Sequence, residues 1–140
     1  MKAGKTFFIL LLVFLSGCTK NNSQDPIPNV YVNIDLYLSD PSNVKLNAIG
    51  GWVYVTGGVR GVIVYRKSND EFIALERNCP YQPKESCATV SVDASNILAV
   101  DTCCGSKFQL MDGSIVNGPA TYPLKRYLTT LSNNTLHISN

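Results

Sequence analysis

The chain has 140 residues, 45% of them apolar, and a formal charge of +2 that Lys2 and Lys5 account for in full. Beyond them cations and carboxylates balance with no basic cluster, so no electrostatic feature points to nucleic acid or to an anionic lipid surface as partner. The length suits one domain with a modest core.

The first element in chain order is MKAGKTFFILLLVFLSGC. Lys2 and Lys5 make a basic start, Phe7 to Leu15 is an unbroken apolar run, and Leu15-Ser16-Gly17-Cys18 places small residues before a cysteine, the pattern of a lipoprotein signal. The run is shorter than the roughly 20 residues that span a bilayer. Residues 1–17 are therefore expected to be removed, leaving Cys18 lipidated and the chain anchored in a bacterial cell envelope rather than threaded through a membrane. Residues 18–29 read as a lipidated tether, since TKNNSQDPIPN is polar, proline-containing and aperiodic. Residues 30–140 read as one β domain.

In VYVNIDLYL, the aliphatics Val30, Val32, Ile34, Leu36 and Leu38 alternate with polar or aromatic residues, which places all of them on one strand face. The following GGWVYVTGGVRGVIVYRKSNDEFIALER contains β-branched and aromatic runs broken at Gly57-Gly58 and at Lys67 to Asp70, a meander of hairpins. Short runs recur at Ala88 to Val92, Ile97 to Val100, Phe108 to Leu110, Tyr127 to Leu131 and Thr135 to Ile138, with turns at Asp112-Gly113 and Asn133-Asn134. No helix is expected after the signal. The fold class is all-β, a sandwich or small barrel of short antiparallel strands. The glycines lead into strands rather than a helix N-terminus, so they do not read as a phosphate-binding loop.

Two segments carry the remaining cysteines: ERNCPYQPKESCATV, with Cys79 and Cys87, and VDTCCGSKFQLMDGSIVNGPATYPLKRY, with Cys103 and Cys104. Outside the cytosol an even set of thiols is expected to pair. Bonding the neighbours Cys103 and Cys104 would strain the peptide between them, which leaves two cross-loop pairings open. Four thiolates could also hold zinc or a [2Fe-2S] cluster, although C-x-x-C spacing is absent.

Together the two segments resemble the cluster-binding loops of the Rieske iron-sulfur family. Gly105-Ser106-Lys107-Phe108 matches the end of the second loop, Asp112-Gly113 the hairpin turn after it, and Gly118-Pro119-Ala120 with Pro123-Leu124 and Tyr127 the covering loop. The resemblance extends over about Val30 to Ile138 and implies a Rieske-like β-sandwich with a two-loop subdomain. It assigns the ligand positions to Cys79, Tyr81, Asp101 and Cys104, where the family has cysteine, histidine, cysteine and histidine. One ligand of the four survives. The family's cluster needs two histidines, and this chain has a single one, His137, read as a solvent-facing residue on the last strand.

The resemblance also implies a disulfide between Cys87 and Cys103, and with it a second between Cys79 and Cys104. The expectation is a degenerate Rieske-like lipoprotein without cofactor, serving as a structural or protein-interaction module. Its alternative is an electron-transfer protein holding [2Fe-2S], or zinc, through Cys79, Cys87, Cys103 and Cys104. No enzyme is expected: His137 lies far along the chain from the cysteines, and Asp70-Glu71 sits in a polar turn. Pro80, Tyr81, Pro83 and the Pro119 loop suggest an exposed semi-apolar tip that could dock an envelope partner. Thr19, where such lipoproteins carry aspartate for inner-membrane retention, directs the expectation to the outer membrane.

Overall fold

In a computed structural model, residues 25–140 are described; residues 1–24, with the signal peptide and Cys18, lie outside the described residues. The alternation after Val30 becomes strand β1 (Asn33–Tyr37). Val32, Leu36 and Leu38 are buried, with Val30 and Ile34 packed at the margin of the same core. The meander is β2 (Trp52–Val55), β3 (Val62–Arg66) and β4 (Phe72–Glu76). After it come β5 (Val90–Val92), β6 (Leu98–Asp101), β7 (Lys107–Gln109), β8 (Ile115–Asn117), β9 (Arg126–Ser132) and β10 (Thr135–Ser139).

These make a six-stranded sheet in the order β1-β10-β9-β4-β3-β2 and a four-stranded sheet in the order β5-β6-β7-β8. All the pairings are antiparallel. The β9–β10 hairpin turns at Asn133 and Asn134, both at positive φ, the backbone that a two-residue hairpin loop demands. Among the described residues the structure is all-β apart from one 3₁₀ segment.

That segment, Pro41–Asn47, corrects the expectation of no helix after the signal. Its signal was local: Asp40 is the N-cap, accepting the Ser42 N–H at 2.8 Å, and Pro41 occupies the first turn, where a missing N–H costs nothing. Strand β8 was also missed. It is a three-residue edge strand whose residues are all exposed, too short and too solvated to show a period.

Strands β3 and β4 read as continuous apolar runs because both of their faces are covered. Val62, Val64, Phe72 and Ala74 face a core with Leu36, Leu46, Leu136 and Ile138. Ile63, Ile73 and Leu75 face a second core, shared with the smaller sheet through Val90, Ala99, Phe108 and Leu110. The two strands are thus a common wall, and the chain leaves β4 directly into the first cysteine loop.

Residues 25–29, read as tether, are docked. Ile27 is 2% exposed, and Lys125 Nζ donates to Asn29 Oδ1 at 3.1 Å and Pro28 O at 3.4 Å. An apolar residue within a polar stretch gave the cue, but the partners that fasten the stretch, Lys125 and Asn140, are about a hundred positions away. Among the described residues no helix is long and apolar enough to cross a membrane.

Candidate functional site

The first loop leaves β4 through Asn78, which bridges to Thr89, and Cys79, whose N–H donates to Ala88 O at 3.0 Å. This closes residues 80 to 87 into a lobe. Arg60 pins the lobe from outside: Nη1 donates to Ser86 O at 2.7 Å, Nη2 to Glu85 O at 2.6 Å, and Nε to Asn78 Oδ1 at 3.1 Å. A planar guanidinium with several fixed donors suits a fan of carbonyls that a lysine could not satisfy together.

The second loop joins β6 to β7. Asp101 N–H donates to Ser106 O at 2.9 Å and Gly105 N–H to Asp101 O at 2.7 Å, a tight closure that sets Gly105 at φ +83°, where an L side chain would be strained. The Asp101 side chain turns back to accept the Cys103 N–H at 2.7 Å through Oδ1. Ser106 is buried. Its Oγ accepts the Ala120 N–H at 3.0 Å and lies 3.1 Å from Cys104 Sγ, so the covering loop is tied to the second loop at the Gly-Ser pair.

Cys87 and Cys103 form a disulfide across the loops, with their Cα atoms 5.6 Å apart. Cys79 and Cys104 are free thiols with their sulfurs 3.9 Å apart; here the structure departs from the expected second crosslink. The sulfurs face one another without a bond, each on its own loop. Asp101 completes the group. Donor atoms of Cys79, Asp101 and Cys104 all lie within 4.8 Å of one another. Asp101 is 0% exposed, and its Oδ2 has no hydrogen-bond partner among the described residues. Burial pushes the Cys79 thiol well above the usual cysteine range, and the adjoining Asp101 carboxylate adds to the shift. In that setting the Cys79 thiol holds its proton more tightly than an exposed cysteine does.

Tyr81 packs half-buried against the same core. Pro80 is buried, which corrects the reading of it as part of an exposed tip; the exposed apolar surface nearby is Ile115, Val116, Pro119 and Tyr122. His137 lies on β10, half-exposed, with Nδ1 2.7 Å from Asp35 Oδ1 on β1. It takes no part in the loop cluster.

Glu76 and Arg60 were missed by sequence reasoning. Glu76 ends the apolar strand β4 on the face of Phe72 and Ala74, and its carboxylate is fully buried. It accepts N–H groups from Val59 at 2.7 Å, Arg60 at 3.0 Å and Asn78 at 2.8 Å, and the Tyr127 hydroxyl at 2.6 Å. It thereby links the β2–β3 turn, the root of the first loop and β9. An inward-phase glutamate closing an apolar strand was the available signal.

No protein-family model matches the chain, and no curated protein matches it by sequence. The fold does match solved structures. The crystal structure of the cyanobacterial plasma membrane Rieske protein PetC3 from Synechocystis PCC 6803 superposes with a TM-score of 0.54 at 23% identity, covering 79% of this chain and 98% of that one. A chain from the complex of reduced oxygenase and oxidized ferredoxin in carbazole 1,9a-dioxygenase superposes with a TM-score of 0.50 at 16% identity, covering 80% and 94%. By fold, then, the chain is a Rieske-like domain. Its particular character within that class lies in the loops, which carry Cys79, Tyr81, Asp101 and Cys104 at the positions the resemblance assigns to cluster ligands.

Proposed function

We propose that this chain is a lipid-anchored protein of a bacterial cell envelope whose Rieske-like domain no longer holds a two-iron cluster and serves as a structural or protein-interaction module. The observation that carries this reading is the donor set. A Rieske cluster takes two cysteines on one iron and two histidines on the other; the one histidine here is engaged with Asp35 on the far strand. Opposed sulfurs 3.9 Å apart leave no gap for two irons and their bridging sulfides. The alternative four-cysteine cluster loses two ligands to the Cys87–Cys103 bond.

That bond supplies a covalent tie between the loops which a cluster would otherwise provide. The interaction surface is the exposed Ile115, Val116, Pro119 and Tyr122 beside the covering loop, and its partner is another envelope protein. A membrane address is in keeping with PetC3, which is a plasma membrane protein. For this chain the lipid on Cys18 supplies the anchor, and Thr19 favours the outer membrane.

The test is the full chain expressed with its own signal. The mature protein should begin at a lipid-modified Cys18 by mass, partition with membranes, and be colourless with neither iron nor acid-labile sulfide in stoichiometric amount. Stoichiometric iron and sulfide with visible absorption would overturn the reading of a lost cluster; an unmodified Cys18 in a soluble protein would overturn the anchor.

A further inference from the structure

We propose that Cys79, Asp101 and Cys104 form a binding site for a single thiophilic divalent cation, zinc by its chemistry. The inference rests on the reading that no two-iron cluster is held here. The first support is spacing. Two bonds of about 2.3 Å at the tetrahedral angle set their sulfurs roughly 3.8 Å apart, and the two thiols, from different loops, stand at 3.9 Å. An ion beside the line joining them also comes within reach of Asp101, since all the donor atoms lie within 4.8 Å.

The second support is Asp101 itself. It is a completely buried carboxylate with one oxygen held by the Cys103 N–H and the other, Oδ2, without a partner among the described residues. A buried oxygen acceptor left unpaired costs about 1 to 3 kcal/mol. A cation supplies the missing partner, and the Cys103 bond orients the carboxylate as an outer contact orients a ligand. Ser106, fixed by the Ala120 N–H, stands beside Cys104 Sγ in the same supporting role.

Two thiolates and one carboxylate select a borderline-soft ion over calcium or magnesium, and three protein ligands leave a fourth position to water or another donor. On binding, each thiol releases its proton as its sulfur–metal bond forms; no electron moves. The Cys87–Cys103 bond keeps the loops in place, so the site does not depend on the ion for its construction.

Cobalt(II) is the spectroscopic probe. The full chain, purified without air, should bind one cobalt per molecule with tetrahedral d–d bands and thiolate-to-cobalt charge transfer, and equimolar zinc should displace it. Cys104→Ser should lower the charge-transfer intensity per bound cobalt, since Cys79 alone is left to supply a thiolate. The isosteric Asp101→Asn, whose Oδ1 can still accept the Cys103 N–H, should weaken affinity by about tenfold or more while leaving both thiolates bound. Absence of stoichiometric binding, or cobalt spectra unchanged in both variants, would overturn the site. So would isolation of the protein with Cys79 and Cys104 already joined, by mass. A colourless protein that ignores cobalt defeats this inference alone, whereas stoichiometric iron and sulfide defeats it together with the proposed function.

Discussion

Glu76 is the residue on which the site's foundations meet. Its buried carboxylate satisfies three backbone N–H groups and the Tyr127 hydroxyl, bonds strengthened by the charge on the acceptor. Glu76→Ala would leave those donors buried and unpaired, and should cost about 3 kcal/mol or more, read as a lowered urea midpoint. Tyr127→Phe removes one bond and should cost about 1 kcal/mol. Tyr127 also carries a pH signature, because burial and then Glu76 raise its pKa. Below the ordinary tyrosine value of about 10 it is protonated folded and unfolded alike, and its bond contributes in full. Above that value only the unfolded chain ionises freely, so stability falls as pH rises toward the folded pKa. Urea midpoints measured from about pH 8 to 11 should decline less steeply in Tyr127→Phe than in the parent. None of this was legible in the sequence beyond the glutamate's inward phase, since the partners Val59, Asn78 and Tyr127 come from separate elements.

At the scale of elements, the loops are held by means that differ in how far the sequence announces them. Gly105-Ser106 and Asp112-Gly113 are local turn chemistry, and both fall where expected, with Gly105 and Gly113 at positive φ. Gly58 also has positive φ, at +63°; a Cβ there would collide with Glu76 Oε2. Gly58→Ala should therefore destabilise by more than about 1 kcal/mol, a further drop in urea midpoint that the Glu76→Ala background should lessen. The Cys87–Cys103 bond closes a sequence separation of 16 residues, for which chain entropy gives about 3 kcal/mol. The double variant Cys87→Ser with Cys103→Ser should lose about that much in urea unfolding, and reductant should add nothing further to it. The 3₁₀ segment and β8 were not expected, the first because seven residues with only Asn43 and Leu46 buried carry no helical period and the second because three exposed residues carry no pattern.

For the whole molecule, the two cores share β3 and β4, and the stretch from residue 25 to 29 is fastened to the folded domain beside them. Lys125 holds Asn29 from the second half of the chain, and Ile27 is buried although it sits in a segment of tether-like composition. Ile27→Ala should cost about 2 kcal/mol, the low end for removing a buried large side chain because the edge can collapse inward. The check is thermal or urea unfolding of the variant beside the parent. A purely solvated tether would show no change.

Composition and order alone determined that the chain is all-β, where its meander turns, and that it holds a single histidine; the second loop's register, and the pair of histidines it lacks, are what the family resemblance implies. The former are properties of neighbours in sequence, set by period, turn chemistry and count. Which thiols bond and which merely face each other was decided only by the tertiary structure. Cys79 and Cys104 are 25 positions apart, Glu76 and Tyr127 51. Distances of a few ångströms between such residues follow from how whole sheets pack, and packing is a property of the assembled core that no local pattern carries.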